Sequence, residues 1–348
     1  MFTTQRTLNN ADPVEAALEA ALRPEDEVAL GAEWSRLSEK VQGYVTRPAK
    51  RVRPALLIAG YRAARGEEPV PDAVYRFAAG LEILHAFMLV HDDIADRAET
   101  RRGGASLHRL LAGSPSPDGQ RLGQDLALVA GDHLFARAVE LMLSSGAPHA
   151  AEATLQMLAI CRHTAAGQAL DLALAQAPLA SVTLFETMRV AQLKTARYGF
   201  VAPLLTGAML AGASSNTCDA LSRAGRHAGI AYQLRDDLLG LFGDDQVAGK
   251  SGAADFIEGK RTFPIIAAWT RADAAGRAEL EGLMDGPKDD AAIARMREAL
   301  ERHGGRLATE RVIARCTRAA LKALAAIPHG AGRATLEQFL SKLANRSA

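Results

Sequence analysis

The sequence predicts an all-α protein. Alanine and leucine dominate its periodic segments, and aromatic residues make up only 5% of the chain. No stretch alternates β-branched with polar residues between turns, so a sheet has no source. Apolar helix faces are wide and connections mostly short, which describes antiparallel helices bundled around a central cavity.

The 348 residues suffice for a large core, and we take residues 1–348 as a single all-α domain. With 41 basic and 40 acidic residues the net charge is +1, which excludes a nucleic-acid tract and a polybasic membrane anchor. Cys161, Cys218 and Cys316 stand far apart without metal spacing and read as thiols in a reducing compartment. No apolar leader and no uninterrupted apolar run of spanning length occurs, so no membrane span is expected and a cytoplasmic location is.

Asp12-Pro13 marks a first helix start, and one or two helices fill residues 13–46. Thr46-Arg47-Pro48-Ala49 breaks the pattern, because the residue before proline avoids the α region. Lys50, Arg51 and Arg53 open the next helix, where cations oppose the helix dipole unless an anion is shared. The helix over 74–96 is apolar for three turns and then acidic. Asp92 and Asp96 stack on one face with Asp93 beside them, and His85 lies two turns up the Asp92 face. Carboxylates this close repel unless a cation is held there, and an all-oxygen set suits a hard ion such as Mg²⁺. Arg101-Arg102-Gly103 follows, and an arginine pair beside metal carboxylates points to a phosphate ester.

Residues 113–119 form a surface loop by their turn chemistry. Helices follow over 125–142, with Gly131-Asp132 inside, and over 152–174, with Gln168 and Asp171 near its end. The helix over 181–210 carries Lys194-Thr195 in its middle, where a buried lysine needs an anionic partner. The helix over 217–242 carries the second acidic pair, Asp236-Asp237, after Gln233. Residues 243–259 form a flap loop with Lys250, ending at Lys260-Arg261-Thr262. Helices near 291–303 and 306–326 carry no motif and are assigned to packing. One D-D-x-x-D is a weak signal, since charged pairs on solvated faces are common; two acidic helices, each trailed by basic residues, are stronger evidence.

These motifs, in this order, resemble the trans-isoprenyl diphosphate synthase (polyprenyl synthetase) family. Asp92-Asp93-Ile94-Ala95-Asp96 with Arg101-Arg102-Gly103 is similar to its first aspartate-rich motif, and Gln233-Leu234-Arg235-Asp236-Asp237 to its second. Lys50-Arg51-Val52-Arg53-Pro54 and Lys194-Thr195 resemble its diphosphate segments, though Pro48-Ala49 replaces the usual glycine pair. The resemblance implies an isoprenoid-synthase fold, a homodimer and head-to-tail prenyl transfer. It makes Asp92, Asp93, Asp96, Asp236 and Asp237 ligands for three Mg²⁺ ions bound with the substrate diphosphate. It gives Arg101, Lys194 and Lys260 to the leaving diphosphate, with Lys250, Thr195 and Gln233 also at the substrates. Lys50, Arg53, His85 and Arg102 would hold isopentenyl diphosphate. The usual third aspartate of the second motif is Gly240 here, and Asp244 is a poor substitute on an ideal helix.

By the same resemblance, a large side chain five residues before the first aspartate limits product length. That residue is Phe87, followed by Met88, with Leu84 deeper along the axis. An ideal wheel puts Phe87 about 140° from Asp92 and roughly 7–8 Å along the axis. With no two-residue insertion in the first motif, geranylgeranyl diphosphate is the expected product, with farnesyl or longer products as alternatives. A class I terpene cyclase would need a different second motif and no isopentenyl site. A non-catalytic partner subunit of a heteromeric synthase would have lost its aspartates.

Overall fold

The computed structural model describes residues 11–23, 31–243 and 253–344. Lys250 and Asp244 lie outside them. Among the described residues the structure is all-α apart from one two-stranded hairpin of two residues per strand. Two compact units are distinguished: residues 1–155 with 206–213, and residues 156–205 with 214–348.

The first unit is built on α4 (Asp72–Ala95), which packs on α6 (Pro117–Leu143), α1 (Ala11–Ala21) and α3 (Val52–Arg65). Phe77, Ala78, Ala79, Gly80, Leu81, Glu82, Ile83 and Leu84 are all buried, so this stretch of α4 is covered on every side. By length and composition α4 could cross a membrane, yet 61% of its most apolar window is buried. Glu82, 2% exposed and paired with two arginines, marks it as a core helix. α2 (Ala32–Val45) stops where Thr46-Arg47-Pro48 predicts. α1 begins at Ala11, one residue before the expected cap. The expected loop 113–119 is shorter. Ser116 accepts from the Gly119 amide with proline at the first helical position, so residues 117–119 already belong to α6.

The second unit centres on α10 (Ser215–Phe242), which packs on α15 (Gly305–Leu324) and on a π-helical segment, Ala191–Val201. That segment lies between α8 (Leu184–Val190) and α9 (Ala202–Leu210). Lys194 and Thr195 therefore sit on π rather than α winding, a form that recurs at functional sites. A short helix, α11 (Ala254–Ile257), follows α10, and α12 (Phe263–Arg271), α13 (Ala274–Asp285) and α14 (Asp290–Arg302) come next. They close an apolar core of Leu241, Phe256, Ile265, Ile266, Leu280 and Leu300, so the C-terminal third does serve packing. α7 (Ala150–Ala175) crosses from one unit into the other, and α16 (Ala331–Ala344) ends the described chain.

Candidate active site

In the first unit the cations are arranged around two buried carboxylates. Glu82 accepts from Arg51 Nη1 at 2.7 Å and from Arg102 Nη2 at 2.8 Å. Arg51 also meets Glu15 of α1 at 2.7 Å. Its backbone is left-handed, with φ 43°. Arg51 is thus a buried structural cation, while Lys50 beside it is exposed. Arg53 Nη1 lies 2.9 Å from His85 Nε2, which brings together two of the residues assigned to isopentenyl diphosphate. Burial, then the charges of Arg53, Arg102, Arg101 and Arg51, hold the His85 imidazole well below its ordinary value, so it is neutral.

The second carboxylate is Asp93, fully buried. It accepts from Arg101 Nε at 2.7 Å, from Arg101 Nη2, and from the Tyr44 hydroxyl at 3.1 Å. Burial and the neighbouring Asp93 charge raise the Tyr44 phenol, so it stays protonated and donates. Asp93 is therefore engaged in anchoring Arg101. Asp92 and Asp96 are half-buried, with Asp92 3.9 Å from Arg101 Nη2. Arg101 and Arg102 are carried by the hairpin of β1 (Thr100–Arg101) and β2 (Gly104–Ala105). Its central residues, Arg102 (φ 51°) and Gly103 (φ 73°), both have positive φ, as a type I′ turn requires.

Phe87 projects towards α6. Its ring lies 4.7 Å from His91 and 5.3 Å from Phe135, centroid to centroid. His91, without a role on sequence grounds, lies against Gly131, where a Cβ would come within 2.3 Å of its ring. Gly131 serves packing there, while Asp132 beside it is exposed.

In the second unit, Lys194 Nζ is 2.7 Å from Asp171 of α7, which supplies the anionic partner that a partly buried lysine demands. Thr195 donates to Gln233 Oε1 at 2.5 Å, and Gln233 Nε2 donates to Asp237 at 2.7 Å. Arg235 makes a bidentate pair with Glu310 of α15 at 2.6 and 2.8 Å, which fixes α10 next to its acidic pair. Asp236 is half-buried and Asp237 buried. Lys260 Nζ lies 2.5 Å from Glu258 and 3.7 Å from Asp255. Asp171, Lys194, Gln233, Asp237, Asp255 and Lys260 line one pocket of about 90 Å³.

Asp255 was missed by sequence reasoning. A Cβ on Gly240 would meet Asp255 Oδ2 at 2.8 Å. A carboxylate from α11 thus occupies the space beside the position where a third aspartate of the α10 motif is absent. Burial, then the charge of Asp255, and further Asp236 and Asp171, push the Asp237 carboxyl well above its ordinary value against the Gln233 hydrogen bond. An excess of buried negative charge made of oxygen donors fits a hard divalent cation. Among the described residues no three such side chains converge on a closed ion cage.

The polyprenyl synthetase family model matches residues 35–302. The chain belongs to the polyprenyl synthetase family. A (2E,6E)-farnesyl diphosphate synthase of Mycobacterium bovis is 33% identical over 293 residues, 83% of this chain and 76% of that protein. A geranylfarnesyl diphosphate synthase of Aeropyrum pernix is 34% identical over 258 residues, 73% and 75%. A geranylgeranyl pyrophosphate synthase of Corynebacterium glutamicum, solved with isoprenyl diphosphate and magnesium, matches with a TM-score of 0.89 at 29% identity, covering 98% and 100%. This polyprenyl synthetase is accordingly a prenyltransferase acting on isoprenyl diphosphates, and its fold is that of the isoprenyl synthases.

Neutral His85 makes a pH prediction. Its folded pKa is depressed, so the stabilisation is present above the unfolded value near 6.5 and is lost as pH falls below it. The substrate-free protein is expected to lose up to about 1.4 kcal/mol per pH unit there. Thermal unfolding between neutral and mildly acid pH would show a flatter slope in His85→Gln. Equal slopes would mean that His85 is not held neutral.

Proposed function

We propose that the protein catalyses Mg²⁺-dependent head-to-tail condensation of isopentenyl diphosphate with an allylic diphosphate, giving a short-chain product, geranylgeranyl diphosphate. The observation that carries this is the pairing of carboxylates with diphosphate-type cations in both units. Asp92, Asp96, Asp236 and Asp237, with Asp255, would hold the ions, three in number. Bound Mg²⁺ would supply charge stabilisation for the departing diphosphate. Arg101, Lys194 and Lys260 would bind the oxygens on which negative charge grows as the allylic carbon–oxygen bond breaks. Lys194 and Lys260, now on Asp171, Glu258 and Asp255, would exchange or share those partners with the diphosphate, and Lys250 would bind the same group. Thr195 and Gln233 would orient the allylic group beside Lys194. Lys50, Arg53, His85 and Arg102 would hold isopentenyl diphosphate so that its double bond faces the allylic carbon. Asp93 is assigned to anchoring Arg101 rather than to an ion. The released diphosphate would take the final proton.

The product assignment is supported by Phe87 and Met88, with Leu84 behind them, as the floor. The relatives' names span farnesyl to geranylfarnesyl products. A homodimer is also proposed, supported by the exposed Leu122, Val129 and Leu143 on α6.

The test is incubation of purified protein with labelled isopentenyl diphosphate, an allylic starter and Mg²⁺, followed by dephosphorylation and chromatography. Labelled twenty-carbon alcohol is the expected product. Consumption of the starter without incorporation of label would indicate a cyclase, and no turnover a non-catalytic subunit. Asp255→Asn should lower kcat about tenfold or more, as expected of one lost electrostatic stabiliser. Wild-type kcat in that variant would leave Gly240 uncompensated.

A further inference from the structure

The cationic hairpin is held by a helix that no motif singles out. Tyr44 lies in the last turn of α2, and Arg47 two residues past its end. Arg47 Nη1 donates to the carbonyl of Arg101 at 2.9 Å and to that of Ala105 at 2.8 Å, one on each strand. Its guanidinium lies against Gly104, where a Cβ would come within 2.9 Å of Cζ, so a side chain at position 104 would push the guanidinium aside. The same guanidinium sits 5.1 Å from the centre of the Tyr44 ring. Tyr44, 1% exposed, donates its hydroxyl to one oxygen of Asp93 at 3.1 Å, while Arg101 Nε meets the other at 2.7 Å. The carbonyl of Val45, on the same turn, accepts from Arg102 Nη1 at 3.3 Å. The hairpin thus has its backbone fixed by Arg47 and its first arginine fixed through Tyr44 and Asp93. Arg102 adopts a positive φ that a non-glycine residue holds only when its surroundings impose it.

We propose that Tyr44 and Arg47 form a positioning clamp that sets the two hairpin arginines for diphosphate binding. Neither touches the substrate; Tyr44 acts through Asp93 on Arg101, and Arg47 acts on both arginines through the hairpin backbone. This rests on the assignment of Arg101 and Arg102 to the two diphosphates. It predicts a division that general destabilisation would not produce. Tyr44→Phe removes one oxygen from an otherwise intact core and should raise the KM for the allylic diphosphate roughly tenfold, the scale of one hydrogen bond to a charged group, leaving the KM for isopentenyl diphosphate unchanged. Arg47→Ala should raise both KM values, and Arg47→Lys, which keeps a donor for the two carbonyls, should restore most of the loss.

The decisive test is a double-mutant cycle with Arg101→Ala. In that background Tyr44→Phe should have no further effect. Multiplicative effects, or a Tyr44→Phe variant with wild-type KM values, would overturn the clamp while leaving prenyl transfer intact. Hydrogen exchange of the amides over 101–106 gives a readout independent of turnover. Arg47→Ala should speed it at least tenfold; unchanged protection would overturn the clamp even if the protein proved inactive, whereas an inactive wild type with the predicted exchange would refute only the prenyl-transfer assignment.

Discussion

Asp92→Ala and Asp236→Ala are each expected to slow prenyl transfer by about a thousandfold or more while leaving the fold intact. Ionisation of the allylic diphosphate puts negative charge on the leaving group, and a group that stabilises this charge acts mainly in the transition state. Loss of either carboxylate should therefore lower kcat more than it raises KM. Both side chains are half-buried, so their removal leaves no large cavity. Asp93→Ala should behave differently. It strips a fully buried carboxylate from Arg101 and Tyr44, and breaking a buried charge pair from one side costs about 3–5 kcal/mol. That variant should lose thermal stability along with activity. Asp237→Ala should cost less activity than Asp236→Ala, because Asp237 lies about 100° round the helix and is committed to Gln233. Steady-state kinetics with thermal unfolding as the control would check all four. Near-wild-type kcat in both Asp92→Ala and Asp236→Ala would refute the assignment of the acidic motifs.

Phe87→Ala should shift the product distribution to longer chains with little loss of total turnover. The ring is braced by His91 one turn on and by Phe135 across on α6, so its position does not depend on the substrate. Removing it opens the space of a phenyl ring, enough for about one more isoprenyl unit, without touching a charged ligand. Chromatography of the dephosphorylated products would show alcohols beyond twenty carbons as the main species. An unchanged spectrum would mean that the floor is built elsewhere, and the geranylgeranyl assignment would lose its support.

The helices were legible because their signals are short in range. Asp92 and Asp96 declare a common face four residues apart, and Thr46-Arg47-Pro48 declares the end of α2. The second acidic helix was found on its apolar period and its Asp236-Asp237 pair. What escaped depends on contacts that sequence spacing does not encode. Asp255 is fifteen residues from Gly240, reached through residues 243–253, so a missing aspartate on α10 looked like a loss. Glu310 stands 75 residues from the Arg235 that it grips, in a region with no motif. Arg51 and Arg53 look alike in the sequence, yet one meets Glu82 in the core and the other meets His85. The π-wound segment at Lys194 carries no proline, so a continuous α-helix was the natural expectation.

The ratio of diphosphate released to isopentenyl units incorporated tests the central claim most directly. Head-to-tail condensation releases one diphosphate for each unit added, because one allylic carbon–oxygen bond breaks for each carbon–carbon bond formed. With isopentenyl diphosphate, an allylic starter and Mg²⁺, the account predicts a ratio of one throughout the reaction, and neither release nor incorporation once the metal is chelated. Diphosphate release without incorporation, or turnover that survives chelation, would contradict it.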